Sequence, residues 1–340
     1  MIILLNAPPG RWPRRPEWRI LLPDDLGLSP FNPSTEVLAA MSTEDYRNIP
    51  GGRLTTKKAG KLLLIGGNED KTGEMEILRA IAAEAGGTAG RIEVITTASS
   101  EPEKVWAVYE RAFREIGVGY AAPMHIRTRA EAEAPELLER IADSTGVFFT
   151  GGDQLRITSI LGGTPVLDAL HHHFFKDRRL VAGTSAGAAA LTSTIIYDGE
   201  SPESLRKGAV MMTGGIALIS NAVVDTHFVT RGRMGRLIQV VASNPRLVGI
   251  GLGEDTGVLF ESGGQFRVVG SGLVIVVDGS SIGFTNVFDV EHMEPFSVED
   301  VRVHVLSSGA GYDLETRTFQ RPPAREPAAR ADDEIPAEDR

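Results

Sequence analysis

The segment Arg179-Leu-Val-Ala-Gly183-Thr184-Ser185-Ala186-Gly187-Ala-Ala-Ala-Leu191 constrains the fold more than any other part of the chain. An apolar run ends in Gly-Thr-Ser-Ala-Gly, and an Ala-rich run with helical bias follows. The pattern predicts a strand that turns sharply into a helix with a serine at the tip. Glycine is required at 183 and 187, where the strand and helix backbones approach too closely for a Cβ. The turn lifts the Ser185 hydroxyl toward solvent and sets the first helical amides beside it, where an oxyanion could sit. A small-residue turn can also do no more than pack a helix on a sheet. A strand before and a helix after favour the catalytic reading.

The chain has 340 residues, enough for one large or two ordinary domains, and its 42% hydrophobic and 24% charged content is that of a globular protein with a real core. There is no cysteine, which excludes disulfides, thiolate metal sites and a cysteine nucleophile. Many glutaminases with a similar elbow carry cysteine there. The net charge of -10 disfavours nucleic acid, which needs a basic footprint. No run reaches the roughly 18 apolar residues of a membrane span. The N-terminal Met1-Ile-Ile-Leu-Leu5 is too short for a signal peptide and is followed by prolines. A cytoplasmic location is expected.

Residues 1–58 are rich in Pro and Arg and read as an irregular arm, with one helix near Ser34–Met41. Regular structure begins at Lys61-Leu-Leu-Leu-Ile65-Gly66-Gly67. Helices are expected at Glu74–Ala85, Pro102–Ile116, Glu131–Ala142, Asp153–Leu161 and Pro165–Phe175. Strands are expected at Arg91–Thr97, Gly146–Phe149 and Leu180–Ala182. The alternation predicts an α/β fold: a largely parallel sheet flanked by helices, of the class I glutamine-amidotransferase-like or flavodoxin-like type. Ligands bind at the carboxyl ends of such strands, where Gly66-Gly67, Gly151-Gly152 and Ser185 fall. The last third is β-rich and expected to be antiparallel, with runs at Val258–Phe260, Gln265–Val269, Leu273–Val277 and Val301–Leu306. One domain is expected over 59–320, and a disordered tail from Arg321.

A serine needs a base, and the base needs an orienting group. Among 7 histidines, His171, His172 and His173 read as a solvated helix end. His125 has no partner in view, and His304 alternates with valines as a strand residue. His227 ends the apolar run Asn221-Ala-Val-Val-Asp225-Thr226-His227, so it can reach the crevice of the elbow. Arg231, Arg233 and Arg236 follow at once, and guanidinium groups pair with carboxylates. Cations at a helix N-terminus oppose the helix dipole, which is a hint of function. Glu254, in the polar turn after Gly249-Ile-Gly-Leu-Gly253, is favoured as the orienting acid. Asp225 is its rival, although at a spacing of two it points parallel to the ring. The order nucleophile, acid, histidine would also be met by Ser185, Asp278 and His292, but the surroundings of His292 read as an exposed acidic segment.

Five segments together resemble the cyanophycinase family, serine peptidases related to the aspartyl dipeptidase peptidase E. They are Leu64-Ile-Gly66-Gly67-Asn-Glu-Asp70-Lys71, Phe148-Phe-Thr-Gly151-Gly152-Asp153-Gln154, Gly183-Thr-Ser185-Ala-Gly187-Ala, Asp225-Thr-His227-Phe-Val-Thr-Arg231-Gly-Arg233 and Gly249-Ile-Gly-Leu-Gly-Glu254-Asp-Thr. The resemblance implies a triad of Ser185 as nucleophile, His227 as base and Glu254 as acid. It implies an oxyanion hole from backbone N–H groups of Gly152, Asp153 and Ala186. Substrate contacts would come from Gln154, Asp225, Thr226, Arg231, Arg233 and Arg236. The family carries glutamine where this chain has Thr226. The implied substrate is cyanophycin, a poly-aspartate backbone with arginine on each β-carboxyl, cut to β-aspartyl-arginine dipeptides without metal or organic cofactor. Glu69, Asp70 and Asp153 are candidates to hold its guanidinium groups. A homodimer is expected from the family. The alternatives are an aspartyl dipeptidase of the peptidase E type and a catalytically inactive binding protein on the same fold.

Overall fold

The computed structural model describes residues 59–199, 203–262 and 264–323. The expected arm at 1–58, its helix near Ser34–Met41 and the tail after residue 323 lie outside the described residues. Five mutually parallel strands carry the first half: β1 (Leu62–Ile65), β2 (Arg91–Ile95), β3 (Tyr120–Met124), β4 (Gly146–Phe149) and β5 (Leu180–Thr184). Between them run α1 (Glu76–Glu84), α2 (Pro102–Ile116), α3 (Pro135–Asp143), α4 (Gln154–Leu161) and α5 (Pro165–Phe175). The elbow leads from β5 into α6 (Ala186–Ala190). A hairpin, β6 (Thr194–Asp198) and β7 (Met211–Gly214), follows, then β8 (Ala222–Asp225), α7 (Met234–Ser243) and β9 (Val248–Leu252). The chain ends in β10 (Thr256–Ser262), β11 (Gln265–Gly270), β12 (Val274–Asp278), β13 (Arg302–Leu306), β14 (Gly311–Asp313) and β15 (Thr318–Gln320).

These strands form two main sheets. The larger has nine strands in the order β15-β14-β11-β10-β1-β5-β4-β2-β3. Its second half, from β10 outward, is antiparallel, as the β-rich character of the C-terminal third predicts. The smaller sheet has the order β13-β12-β9-β8, with β8 and β9 parallel. Both faces of β1 are buried, which is why it reads as an unbroken apolar run. Leu63 and Ile65 pack on the face covered by α1 and α2, with Ile77, Leu78, Ile81 and Phe113. Leu62 and Leu64 face the other core, which Ile157, Leu161 and Leu170 share with Val224, Ile250 and Val276 of the smaller sheet. The smaller sheet turns its opposite face, Val223, Ile275 and Val277, to Leu237, Val240 and Val241 of α7.

The departures from expectation have physical reasons. The helix expected over Glu131–Ala142 is a 3-10 turn at Glu131–Glu133 followed by α3. Pro135 cannot sit inside a helix but opens one well, so the helix starts there. β3 contains Pro123, which argues against a central strand. It is the edge strand of its sheet, where a missing N–H is tolerated. The His171–His173 run is not a solvated helix end. His173 is fully buried, with its ring nitrogens 3.2 and 3.1 Å from the Ile141 and Leu180 carbonyls. His171 bonds the Ile216 carbonyl, and His172 alone of the three is exposed.

Asp70 does not offer its carboxylate to a substrate. It accepts backbone N–H bonds from Thr72, Gly73 and Met75 and turns the chain from β1 into α1. Those bonds, Met75 first, hold its pKa down to about 2.

Two predictions follow from this architecture. A Cβ on Gly187 would lie 2.5 Å from the Phe149 carbonyl oxygen. Gly187→Ala should lower stability by about 1–3 kcal/mol or more in chemical denaturation. Gly214→Ala, which meets nothing within 4 Å, should stay within about 0.5 kcal/mol. For Asp70 the folded pKa lies below the unfolded one, so its contribution is present above pH 4 and is lost as pH falls through about 2. Asp70→Asn should therefore be less stable than the parent at pH 7, with the difference vanishing as the solution is acidified toward pH 2.

Candidate functional site

The carboxyl ends of β1, β4 and β5 align, since Ile65 pairs with Thr184 and Phe149 with Gly183. Ser185 leaves β5 with φ 53 and ψ -119, a conformation rarely adopted by a side chain with a Cβ. Its N–H donates to the Ile65 carbonyl at 2.9 Å, and its carbonyl accepts from Ala189. The strained turn is thus held on both sides, and the hydroxyl points into a cavity of about 510 Å³.

The smaller sheet brings the partners. His227 follows the carboxyl end of β8, and its N–H donates to the Gly66 carbonyl at 2.8 Å. Its ring lies over Gly67, where a Cβ would come within 2.5 Å of Cε1 and Nε2. Gly67 also adopts φ 98, so its lack of a side chain serves both space and conformation. Ser185 Oγ lies 3.0 Å from His227 Nε2, and His227 Nδ1 lies 2.7 Å from Glu254 Oε1. A carboxylate only accepts, so Nδ1 carries the hydrogen and Nε2 presents its lone pair to the hydroxyl. Glu254 lies in the turn between β9 and β10, where the chain passes from the smaller sheet to the larger. The hydrogen bond from His227, followed by one from Asn68, holds its carboxyl below the usual range. The imidazole is 15% exposed and Glu254 30%, so the pair is mostly sheltered.

Asp225 does not orient the histidine. Its Oδ1 accepts from Arg233 Nη1 at 3.0 Å, and Arg236 Nε lies 2.9 Å from its Oδ2. Burial pushes the Asp225 carboxyl up, against the pull of these two arginines. Burial likewise lowers the guanidinium of Arg236. Arg233 and Arg236 are therefore not unpaired anion receptors, because one buried carboxylate already offsets part of their charge. Arg231, Arg233, Arg236, Asp225 and Thr226 all line the cavity with Ser185. Gln154 lines it too, and its amide donates to the Ile196 carbonyl at 3.0 Å, fixing the wall made by β6.

The Asp153 N–H donates to the Ala98 carbonyl at 3.0 Å, which removes it from an oxyanion hole. Its carboxylate caps α4 through the Leu155 N–H. Gly152 and Ala186 both border the cavity, and Ala186 opens its helix, so its N–H has no carbonyl one turn back. Glu69 is not a substrate acid. It is 3% exposed, accepts from Thr184 Oγ1 at 2.6 Å and from the Tyr109 hydroxyl, and lies 3.3 Å from Lys71. The set Ser185, Asp278 and His292 is not assembled. Asp278 pairs with Val248 at the far end of β9 and is bound by Arg317 and Tyr312, while exposed His292 packs beside Gly208. Sequence reasoning missed Ile196, Tyr197 and Asp198, which wall the cavity from β6. The β-branched run Thr194-Ile-Ile followed by Tyr197, Asp198 and Gly199 was a signal for that strand.

Among the described residues no cluster of side chains could hold a metal ion, and no helix is long and apolar enough to cross a membrane. The arrangement sets a hydroxyl, an imidazole and a carboxylate in line beside a cavity that three arginines border.

Known proteins share this arrangement of sequence. A cyanophycinase of Thermosynechococcus vestitus is 39% identical over 261 residues, 77% of this chain and 81% of its own length. A cyanophycinase of Nostoc sp. is 40% identical over 257 residues, 76% of this chain and 86% of its own. The crystal structure of a peptidase from an acI-B1 Actinobacterium superposes with a TM-score of 0.58, covering 76% of this chain and 98% of that one at 20% identity, so it shares the fold. The family description of peptidase family S51 matches residues 62–269. The chain belongs to peptidase family S51 and is a hydrolase of the serine type.

Proposed function

We propose that this protein is a cyanophycinase, a serine exopeptidase that cuts the poly-aspartate backbone of cyanophycin and releases β-aspartyl-arginine dipeptides. The observation that carries the reading is the unbroken chain from Ser185 through His227 to Glu254, opening on a cavity lined by Arg231, Arg233 and Arg236. The similar sequences that are called cyanophycinases support the choice of substrate.

The chemistry follows from the geometry. Ser185 Oγ attacks the aspartyl carbonyl as its proton passes to His227 Nε2. The carbonyl oxygen becomes an oxyanion, for which the N–H groups of Gly152 and Ala186 are the donors in reach. Glu254 stabilises the imidazolium that forms and keeps Nε2 pointing at the reacting atoms. The imidazolium then gives its proton to the leaving amine, and an acyl-enzyme on Ser185 remains. Water attacks the ester, its proton goes to His227, and the released acid leaves Ser185 with its hydroxyl restored. The arginines draw in free carboxylates, and Asp225 limits their charge so that product is not held too tightly. A cytoplasmic location, from the sequence pattern, and a homodimer, from the family resemblance, complete the reading.

Ser185→Ala and His227→Ala should each lower turnover by about 10⁴-fold or more, to similar extents, because triad members act as a unit. Glu254→Gln should lose less. The test of substrate is incubation of the purified protein with cyanophycin and mass analysis of the products. β-Aspartyl-arginine dipeptides are expected. Cleavage of short Asp-X peptides with intact polymer would make the protein an aspartyl dipeptidase. A folded protein that neither cleaves nor is labelled at Ser185 by a serine-directed phosphonate would be a binding protein.

A further inference from the structure

Glu254 has two carboxylate oxygens, and only Oε1 faces the imidazole. The terminal torsion of a glutamate is broad and two-fold. At 30% exposure on a turn, its rotation is set by whatever bonds the second oxygen. That oxygen, Oε2, accepts from Asn68 Nδ2 at 3.2 Å. The amide must present its NH₂ there, since a carboxylate cannot donate.

Asn68 is itself held by backbone and not by side-chain packing. It adopts φ 50 next to Gly67 at φ 98. The Gly67 carbonyl accepts from the Asp255 N–H at 3.0 Å, and the Asp70 N–H donates to Asp255 Oδ1 at 2.9 Å. Between them Glu69 is anchored inside the protein on Thr184, the residue before the nucleophile. The loop from Gly66 to Asp70 is therefore tied at each residue to a part of the site, and Asn68 is the residue that touches the acid.

We propose that Asn68 is a positioning residue of the reaction: its amide holds Oε2 of Glu254 so that Oε1 stays aligned with His227 Nδ1. The proposal rests on the reading of Ser185, His227 and Glu254 as the triad. Asn68 bonds Glu254 and not the nucleophile, so its effect is expected on turnover, through the acid. The charged groups acting on Glu254 are His227 and Arg231, and the neighbouring Asp255 carboxylate is turned to the Asp70 N–H and the Ser271 hydroxyl.

Two variants test this. Asn68→Gly removes the amide while keeping a residue that accepts left-handed backbone. Asn68→Asp keeps the shape but replaces the donor with a second carboxylate. For both, kcat and KM on cyanophycin are measured as a function of pH, together with the rate of phosphonate labelling at Ser185. Asn68→Gly should lower kcat and labelling roughly 3- to 10-fold with KM unchanged, and Asn68→Asp should lower them more. The acid limb of kcat/KM should move to higher pH in both, because a carboxylate without its donor is more basic and holds the imidazolium more strongly. Combined with Glu254→Gln, Asn68→Gly should cost less than about twofold further, since the two act through one group. Parent kcat and parent acid limb in both Asn68 variants would overturn the proposal. If Glu254→Gln is impaired while the Asn68 variants are not, the proposal alone falls. If Glu254→Gln keeps parent kcat and labelling, the triad reading falls with it.

Discussion

The seam between the two sheets is the constraint on which the site depends. Ser185 belongs to the larger sheet, while His227 and Glu254 follow strands of the smaller one. A hydrogen bond of 3.0 Å between side chains from different sheets survives only if the sheets cannot slide. Two backbone bonds cross the seam: Gly66 accepts from His227, and Gly67 accepts from Asp255. Ser185, His227, Asn68 and Asp255 all sit at positive φ, a conformation that costs each of them about 1–2 kcal/mol. Strain of this kind persists only where the surroundings over-determine the backbone. Here the surroundings are three apolar cores that bury both faces of β1 and of β9.

The electrostatics of the cavity run against the protein as a whole. The chain carries a net charge of -10, yet Arg231, Arg233 and Arg236 line the cavity beside the nucleophile, and Arg233 and Arg236 face the buried Asp225 carboxylate. The pairing solves a folding problem first. A lone guanidinium at 5% exposure, as in Arg236, would be costly to bury, and so would the Asp225 carboxylate without it. Together they make a wall that is stable with no substrate present. The long-range field of an acidic protein is screened within roughly 8 Å at physiological salt, so the groups that line the cavity, Arg231 and Asp198 among them, set its local field.

Much of this was legible in the sequence, and unevenly so. The elbow was legible because only glycines fit where β5 meets α6, and Gly183 and Gly187 leave that mark. His227 was legible because it ends an apolar run, and Glu254 because it follows one. Their meeting was not, since it depends on two sheets whose pairing the local pattern does not encode. Asp70, Glu69 and Asp153 looked like free acids because a sequence does not show which carboxylates cap a turn, fill a core or begin a helix. The same blindness made Arg233 and Arg236 look unpaired, although Asp225 ends the strand that precedes both. β3 was hidden by Pro123, which excludes a central strand but not an edge one. The His171–His173 run shows that three identical residues can meet three environments, because successive positions on a helix point about 100° apart.

The excursion between α6 and β8 shows how the fold separates chemistry from selection. Ser185, His227 and Glu254 stand at the ends of strands whose faces are fully buried, where a one-residue change propagates through packed neighbours. The hairpin of β6 and β7 joins that packing through β6, where Ile195 and Ile196 are buried and Ile196 packs with Val223, Phe228 and Leu237. Residues of β7 are exposed throughout, and β6 pairs with β7 alone among the described strands. Yet β6 supplies Ile196, Tyr197 and Asp198 to the cavity wall and is pinned to the core side by Gln154. Substitutions at Tyr197 and Asp198, the part of this wall that is not buried, would change the cavity without touching the backbone bonds that hold the nucleophile and its base. A scaffold whose centre stands at strand ends and whose wall comes from a separate hairpin can change what it accepts without changing how it reacts.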